Sequence, residues 1–202
     1  SVARSPADEW CSFVVFAMDC SILEDDLVRL RRCEPQDAEA FYRWESMPSI
    51  AASNTLCEPI SLFQAEQLVS LGSSSLQQNG YLYLVLERKE TVSAERCSLG
   101  YVMLYNYDSV NARSAIGVAI DERYRRCGFA RRGIRLMCHY AFSVLRIERL
   151  IAEIAAYNAP SQALFESESF TRIATLPQWI RHKNAYADLH IYALCPSPSS
   201  NK

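Results

Sequence analysis

The chain lacks both familiar glycine-rich phosphate loops. Neither G-x-x-x-x-G-K-[ST] nor G-x-G-x-x-G occurs in its 202 residues, so a nucleoside-triphosphate or dinucleotide reading loses support. None of the eight cysteines, at 11, 20, 33, 57, 97, 127, 138 and 195, forms C-x-x-C or sits near His at zinc-ligand spacing, so no structural metal is expected. Several of them fall in apolar periodic segments, where a reduced Cys packs as a small hydrophobe. The reading is a reducing, cytoplasmic setting. The apolar run at 10–18 is too short to span a bilayer. Asp8 and Glu9 precede it, Asp19 follows it, and only Arg4 could supply the cationic start of a signal peptide. No membrane partner is expected. The net charge of −2 makes the chain no polycation, and non-specific nucleic-acid affinity needs many phosphate contacts. No internal repeat or low-complexity block is visible.

What is present is a chain about the size of one domain, half apolar and under a quarter charged, large enough for a substantial core. Residues 1–26 read as an extension: a polar tail, then a packed arm or extra edge strand. The alternation Leu27-Val28-Arg29-Leu30-Arg31-Arg32 is a half-buried strand. Pro35 suits a first helical turn, and Phe41, Tyr42 and Trp44 mark a helix ending near Met47 and Pro48. Residues 48–59 read as a loop centred on Asn54 and Thr55. Ser61 to Gln64 is a capping box opening a second helix to about residue 71, followed by a Ser/Gln/Asn-rich connection at 72–80. Strands at 81–87, 99–105 and 114–120, separated by polar turns, form an antiparallel meander. A strand at 150–155, a helix from Asn158 and a terminal hairpin (179–182 with 186–194, around Lys183 and Asn184) complete the domain at 27–195. Residues 196–202 are a tail.

The stretch from Ile120 to Gly133 carries the chemistry. It leaves an apolar strand and enters a helix whose Ala130, Ile134, Met137, Cys138, Ala141, Val144 and Leu145 share one face. The first N–H groups of a helix have no intrahelical partner, and the macrodipole is positive there. Gly128 permits close backbone approach. Arginines 123, 125, 126, 131, 132 and 135 outnumber Asp121 and Glu122, and Arg forks onto phosphate oxygens as Lys does not. The setting suits an anion, especially a phosphate. Arginines around a helix start are also commonly a solvated face, and the residues alone leave both readings open.

Arg125-Arg126-Cys127-Gly128-Phe129-Ala130 resembles the [Q/R]-x-x-G-x-[G/A] pyrophosphate loop of the GNAT acetyltransferases. The run Asn158-Ala-Pro-Ser161-Gln-Ala-Leu164-Phe165-Glu166-Ser-Glu168-Ser169-Phe170 is similar to that family's N-x-x-[SA]-x-x-L-[YF]-E-x-x-G-F. The strand–helix–loop–helix opening resembles the spermidine/diamine and ribosomal-protein N-terminal acetyltransferase branch. The resemblance covers about residues 27–194. It implies a mixed α/β (α+β) fold: a mostly antiparallel twisted central sheet with one parallel pair at the cofactor site, flanked by helices. It implies acetyl-CoA as co-substrate, its diphosphate on residues 125–130. The thioester would lie at a splay between residues 118–120 (Val118, Ala119, Ile120) and 152–154, and Asn158, Ser161 and Phe165 would line the pantetheine arm. Two departures matter. Ser169 replaces the usual Gly, which points to a slightly different turn. Phe165 stands where many members place a Tyr thought to protonate the departing thiolate, so no general acid carries over.

Acetyl transfer to an amine needs a neutral amine, and a Lys-like ammonium has a pKa near ~10.4, so a base must take its proton, directly or through water. Glu153 and Glu45 are the candidates, and a Glu153 buried by the fold would be the better base. Tyr157 is a candidate substitute for the missing acid. Asp37, Glu39, Glu45 and Glu58 make the N-terminal half acidic, which favours a cationic acceptor. The expected activity is therefore N-acetylation of a primary amine, a polyamine or diamine first. A protein N-terminus, as in the ribosomal-protein enzymes, is the alternative acceptor, and a non-catalytic acyl-CoA-binding module is the alternative class. Family members are commonly dimers, so a homodimer is the expectation the resemblance brings.

Overall fold

The computed structural model describes residues 20–51, 59–72, 74–89, 97–182 and 184–196. The expected arm at 10–18, the loop centre Asn54 and Thr55, Glu58 and Lys183 lie outside these residues. One seven-stranded sheet organises the described chain, in the order Val28–Arg32, Leu82–Arg88, Cys97–Asp108, Arg113–Ile120, Arg149–Ala155, Ala185–Leu194, Thr171–His182. Strands β1 (Val28–Arg32), β2 (Leu82–Arg88), β3 (Cys97–Asp108) and β4 (Arg113–Ile120) form the antiparallel meander. Helix α5 (Phe129–Ser143) then crosses over to β5 (Arg149–Ala155), which lies parallel to β4. Such a crossover is what a parallel neighbour requires. Strand β7 (Ala185–Leu194) inserts between β5 and β6 (Thr171–His182), leaving β6 at the edge.

Gly100 makes the β3/β4 contact possible. It sits at φ 154°, and a Cβ added there would lie 2.0 Å from the Ala119 carbonyl oxygen, closer than any side chain tolerates. A β-bulge between Leu86 and Glu87 falls opposite the same place.

The two faces of the sheet differ. On one, α5 buries Gly133, Ile134, Met137, Cys138 and Ala141 in a core with Leu86, Val102, Leu104, Ile116, Leu150, Ala152 and Ile154. Each Leu, Ile, Val or Met side chain among these contributes about 1.5–3 kcal/mol on burial. The expected face ran on to Val144 and Leu145, but the helix stops at Ser143. Arg146 turns left-handed at φ 56°, and the Ile147 N–H bonds the Ala141 carbonyl at 3.0 Å. That turn drives Ile147 into the core, 2% exposed. On the other face, α1 (Ala38–Glu45) and α3 (Leu62–Gly72) pack Phe41, Trp44, Ala65 and Val69 onto Val85, Tyr101 and Ala119. The Ser61–Gln64 capping box is present in both directions, at 2.8 and 3.2 Å.

Three local expectations need correction. The loop expected from residue 48 begins as a short helix, α2 (Pro48–Ala51). The connection at 72–80 holds α4 (Leu76–Asn79), capped by Ser75 and closed by Gly80 at φ 76°. Strand β6 starts at Thr171, well before the expected 179. Its residues are nearly all exposed, and a register shift between Leu176 and Ile180, with Gln178 at φ 51°, breaks the alternation that would have revealed it.

Candidate active site

Strand β4 delivers the chain into the arginine turn. Asp121 closes the strand and accepts from the Arg123 N–H at 3.1 Å, capping a 3-10 turn at Glu122–Tyr124. Arg125 is extended, Arg126 is left-handed at φ 61° and Gly128 left-handed at φ 80°, and α5 begins at Phe129. Left-handed residues in a short turn aim backbone N–H groups into a concavity that suits anions. The α5 N-terminus adds its positive end. A Cβ added at Gly128 would meet no protein atom within 4 Å, so the space above the turn is open. Arg125, Arg126, Cys127 and Gly128 are exposed, and Phe129 and Ala130 are half-buried against the core.

The arginine cluster is not the block of free positive charge that the sequence implied. Arg123 is held by Asp121 at 2.8 Å, and Arg125 lies 3.7 Å from Glu122. Arg131 and Arg135 both bond Glu168, at 2.5 and 3.0 Å. Arg132 bonds Asp25 and Asp26, each at 2.6 Å. Of the six, Arg126 alone makes no ion pair among the described residues. The others staple the turn and α5 to their neighbours.

Beyond the turn, β4 and β5 part. They pair only at Arg113↔Arg149, Ser114↔Leu150 and Ala115↔Ile151. Val118, Ala119 and Ile120 therefore have no ladder partner in β5, nor do residues 152–154 in β4. Asn158 caps α6 (Ala159–Ser167), its side chain accepting from the Ser161 N–H at 3.3 Å. That places Asn158 and Ser161 just past the end of β5. Phe165 is turned into the core, 4% exposed, with its ring edge-on to Phe170 at 5.0 Å. Ser169 does not alter the turn. It takes φ 68°, the left-handed conformation a glycine would take. The Phe170 N–H bonds the Phe165 carbonyl and the Ser169 N–H the Glu166 carbonyl, both at 3.1 Å, which is a complete Schellman closure.

The α1 side of the sheet holds the acid–base candidates. Tyr101 lies opposite Ala119 in the β3/β4 register, and its hydroxyl donates to Glu45 at 2.5 Å. This places Glu45 at the far end of the Tyr101 side chain, on the α1 side of that pair. The Tyr101 ring stacks on Phe41 at 5.2 Å. Burial first, then the Glu45 charge, pushes the Tyr101 hydroxyl well above its ordinary value. Tyr105, four residues along β3 and so on the same face, is pushed up to about 12 by burial and then by Glu153. Glu153 stands two residues past the last β4/β5 pair but is exposed, so the burial that would have made it the better base is absent. It borders a small cavity of about 160 Å³ with Ser114, Ala115 and Ile151. Tyr157 follows β5 in the turn before α6, 41% exposed, its ring 3.9 Å from that of His182.

The acidic wall is thinner than the sequence suggested. Asp37 is buried and bonded by Arg31 at 2.7 Å, and Arg31 also bonds Glu87. Glu39 is exposed. Sequence reasoning missed Tyr101, Arg43, Trp44 and Asp121 as one group. Asp121 accepts from Trp44 Nε1 and Arg43 Nε, both at 3.2 Å. No motif announces a contact made across 78 residues of chain.

A family model described as acetyltransferase (GNAT) domain matches residues 28–171. The uncharacterized N-acetyltransferase p20 of Bacillus licheniformis is 25% identical over 175 residues, 85% of this chain and 94% of its own. The uncharacterized N-acetyltransferase YoaA of Bacillus subtilis (strain 168) is 25% identical over 173 residues, 86% of this chain and 96% of its own. The spermidine N-acetyltransferase of Vibrio cholerae, solved in complex with CoA and spermine, superposes with a TM-score of 0.73 at 19% identity, covering 85% of this chain and 96% of that one. At that identity the likeness establishes the fold.

Proposed function

Because the chain belongs to the GNAT acetyltransferase family, and is therefore an acetyl-CoA-dependent N-acetyltransferase, we propose that it acetylates a primary amine of a polyamine or diamine. The observation that carries the site assignment is the continuity of three features. A strand loses its parallel partner after Ala115, runs into a turn with left-handed Arg126 and Gly128, and opens α5. The residues fit the cofactor: the space over Gly128 is open, and Arg126 has no ion pair among the described residues. In this reading the backbone of residues 125–130 (Arg125, Arg126, Cys127, Gly128, Phe129 and Ala130) holds the diphosphate, with Arg126 forking onto it. Asn158 and Ser161 border the pantetheine arm. Phe165 contributes packing behind it.

Acetyl-CoA supplies the thioester that the amine attacks. The edge of β4 at Val118, Ala119 and Ile120, without a β5 partner, offers the backbone N–H groups that point away from β3 for the developing oxyanion. Glu45, bonded to Tyr101 beside that edge, takes the ammonium proton, directly or through water. Glu153 lies along the same tyrosine-bearing face and attracts a second ammonium of the acceptor. Tyr157 stands beyond β5 as a proton donor for the leaving thiolate. Residues 27–195 make up the transferase domain in this reading, with 1–26 an extension and 196–202 a tail. The setting is cytosolic, consistent with free thiols at Cys33, Cys97, Cys127, Cys138 and Cys195. A homodimer is supported by Ile173 and Trp179 on the edge strand, 61% and 65% exposed.

The test is an acceptor panel with acetyl-CoA: spermidine, a short diamine, a monoamine and a peptide with a free N-terminus. The expected result is turnover on spermidine and the diamine above that on the monoamine, reduced in Glu45→Gln. Turnover on the peptide alone would replace the polyamine reading with N-terminal acetylation.

A further inference from the structure

The buried carboxylate of Asp121 joins two elements that the reaction must keep in register. It is 1% exposed, yet five donors reach it. Three come from Arg123: its N–H at 3.1 Å, Nε at 3.0 Å and a terminal guanidinium nitrogen at 2.8 Å. Two come from α1, on the other side of the sheet's edge: Trp44 Nε1 and Arg43 Nε, both at 3.2 Å. The Asp121 backbone is fixed as well. Its N–H bonds the Leu99 carbonyl and its carbonyl accepts from the Tyr124 N–H, both at 2.9 Å. Four residues on, Arg125 begins the reversal that shapes the turn. Directly after Trp44 comes Glu45, bonded to Tyr101. One side chain therefore touches the strand end, the entry to the arginine turn and the helix bearing the acceptor-side carboxylate.

We propose that Asp121 is a positioning residue that locks α1 to the cofactor turn, so that the acceptor-side carboxylate and the diphosphate anchor move as one body. The inference rests on the cofactor reading above for its functional meaning. The chemistry selects a carboxylate: two guanidinium groups, an indole N–H and a backbone N–H converge, and only an anion with two acceptor oxygens satisfies them together. An amide keeps the shape, retains one acceptor oxygen and presents an N–H₂ to the remaining donors. Contact with both elements also predicts that a change on α1 is felt in the turn. Trp44 is fully buried and lies outside the turn, which makes it the probe of that coupling.

The experiment is amide hydrogen exchange on the full ligand-free chain, comparing the unmodified protein with Trp44→Phe, Asp121→Asn and the double variant, followed by acetyl-CoA titration of the same four. Trp44→Phe deletes the indole N–H but also leaves a cavity, so Arg43→Gln, which removes the other α1 donor from a half-exposed side chain, is run beside it. The expected result is faster exchange in residues 122–130 in Trp44→Phe and in Arg43→Gln, a larger effect in Asp121→Asn, and no further increase in the double variant. Acetyl-CoA affinity falls about tenfold in Asp121→Asn and by a smaller factor in Trp44→Phe. Faster exchange confined to α1 in Trp44→Phe and Arg43→Gln overturns the coupling, as does unchanged exchange in the turn of Asp121→Asn. If Asp121→Asn does not fold, Asp121→Glu and Trp44→Phe carry the same comparison. Failure of the unmodified chain to bind acetyl-CoA would count against the cofactor reading, while the exchange result still decides the coupling.

Discussion

The α5 face and the α1 face of the sheet solve different problems. Under α5, aliphatic side chains from β2, β3, β4 and β5 close on one helix, and the chain leaves and enters that layer through turns fixed by backbone conformation: Arg126, Gly128, Arg146 and Ser169 are all left-handed. Under α1, the packing is aromatic, with Phe41, Trp44, Tyr83 and Tyr101 in mutual ring contact, and polar groups are carried on side chains. In the proposed reading the first face offers the cofactor N–H groups, a helix end and the Arg126 side chain. In the same reading the second offers the acceptor the side chains of Glu45, Tyr101 and Glu153. A turn held by backbone conformation is set by local sequence, whereas a side-chain cluster is set by which residues the fold brings together.

The largest effect expected from breaking this contrast is at Gly128. Gly128→Glu forces a Cβ into φ 80° and sets a negative charge at the helix start. Acetyl-CoA affinity should fall at least about a hundredfold by calorimetry, with a stability loss of only about 1–2 kcal/mol from the left-handed Cβ. Next, Ile134→Ala empties a fully buried position under α5 and should cost about 2–5 kcal/mol in urea unfolding. The aromatic face gives a sharper test of chemistry. Glu45→Gln should lower kcat/KM for a diamine by about 10–100-fold and leave acetyl-CoA affinity intact, whereas equal loss of both would erase the division between the faces.

Phe165→Tyr asks whether the missing hydroxyl matters. The ring is buried against Phe170, so the added hydroxyl should cost about 1–3 kcal/mol of stability and leave turnover unchanged. A several-fold gain in kcat would show that this ring reaches the reacting atoms. The smallest effect is at Ser169. Ser169→Gly relieves a left-handed side-chain residue and should stabilise by about 0.5–1 kcal/mol, measured as a modest rise in thermal midpoint.

Acid sensitivity follows from the joint between the faces. The Arg123 guanidinium, working against burial and aided by its backbone N–H and the Trp44 indole, holds the Asp121 carboxyl well below its ordinary 3.8. A folded-state value below the unfolded one contributes stability that is present above the unfolded value and lost as pH falls below it. Asp121→Asn should therefore flatten the acid limb of a stability–pH profile below about pH 4 relative to the unmodified chain.

The backbone-built side was legible in the sequence because its signals are local. The apolar run of β4, Gly128, the period of α5 and the Asn158 cap each announce an element within a few residues. What the sequence hid was long-range. Five arginines that looked like a free basic patch are spoken for by Asp121, Glu122, Glu168, Asp25 and Asp26, and no spacing rule links Arg132 to Asp25 across 107 residues. Asp37 looked like part of an acidic wall and is instead a buried partner of Arg31. Strand β6 was missed over most of its length because an edge strand exposed on both faces carries no alternation. The arginine turn lies between strand and helix where the sequence placed it, but which of its arginines are tied to carboxylates depends on contacts that only the fold creates.

One titration decides whether Arg126 in this turn, and not the bulk charge of the cluster, attracts the cofactor. Acetyl-CoA is titrated by calorimetry into the unmodified chain, Arg126→Glu and Arg132→Glu. Both variants change the charge by the same amount within one cluster, but Arg126 makes no ion pair among the described residues, whereas Arg132 is bonded to Asp25 and Asp26. The account predicts binding by the unmodified chain, retained within about threefold in Arg132→Glu and lost in Arg126→Glu. Equal loss in both variants would mean that bulk positive charge, and not this turn, attracts the cofactor.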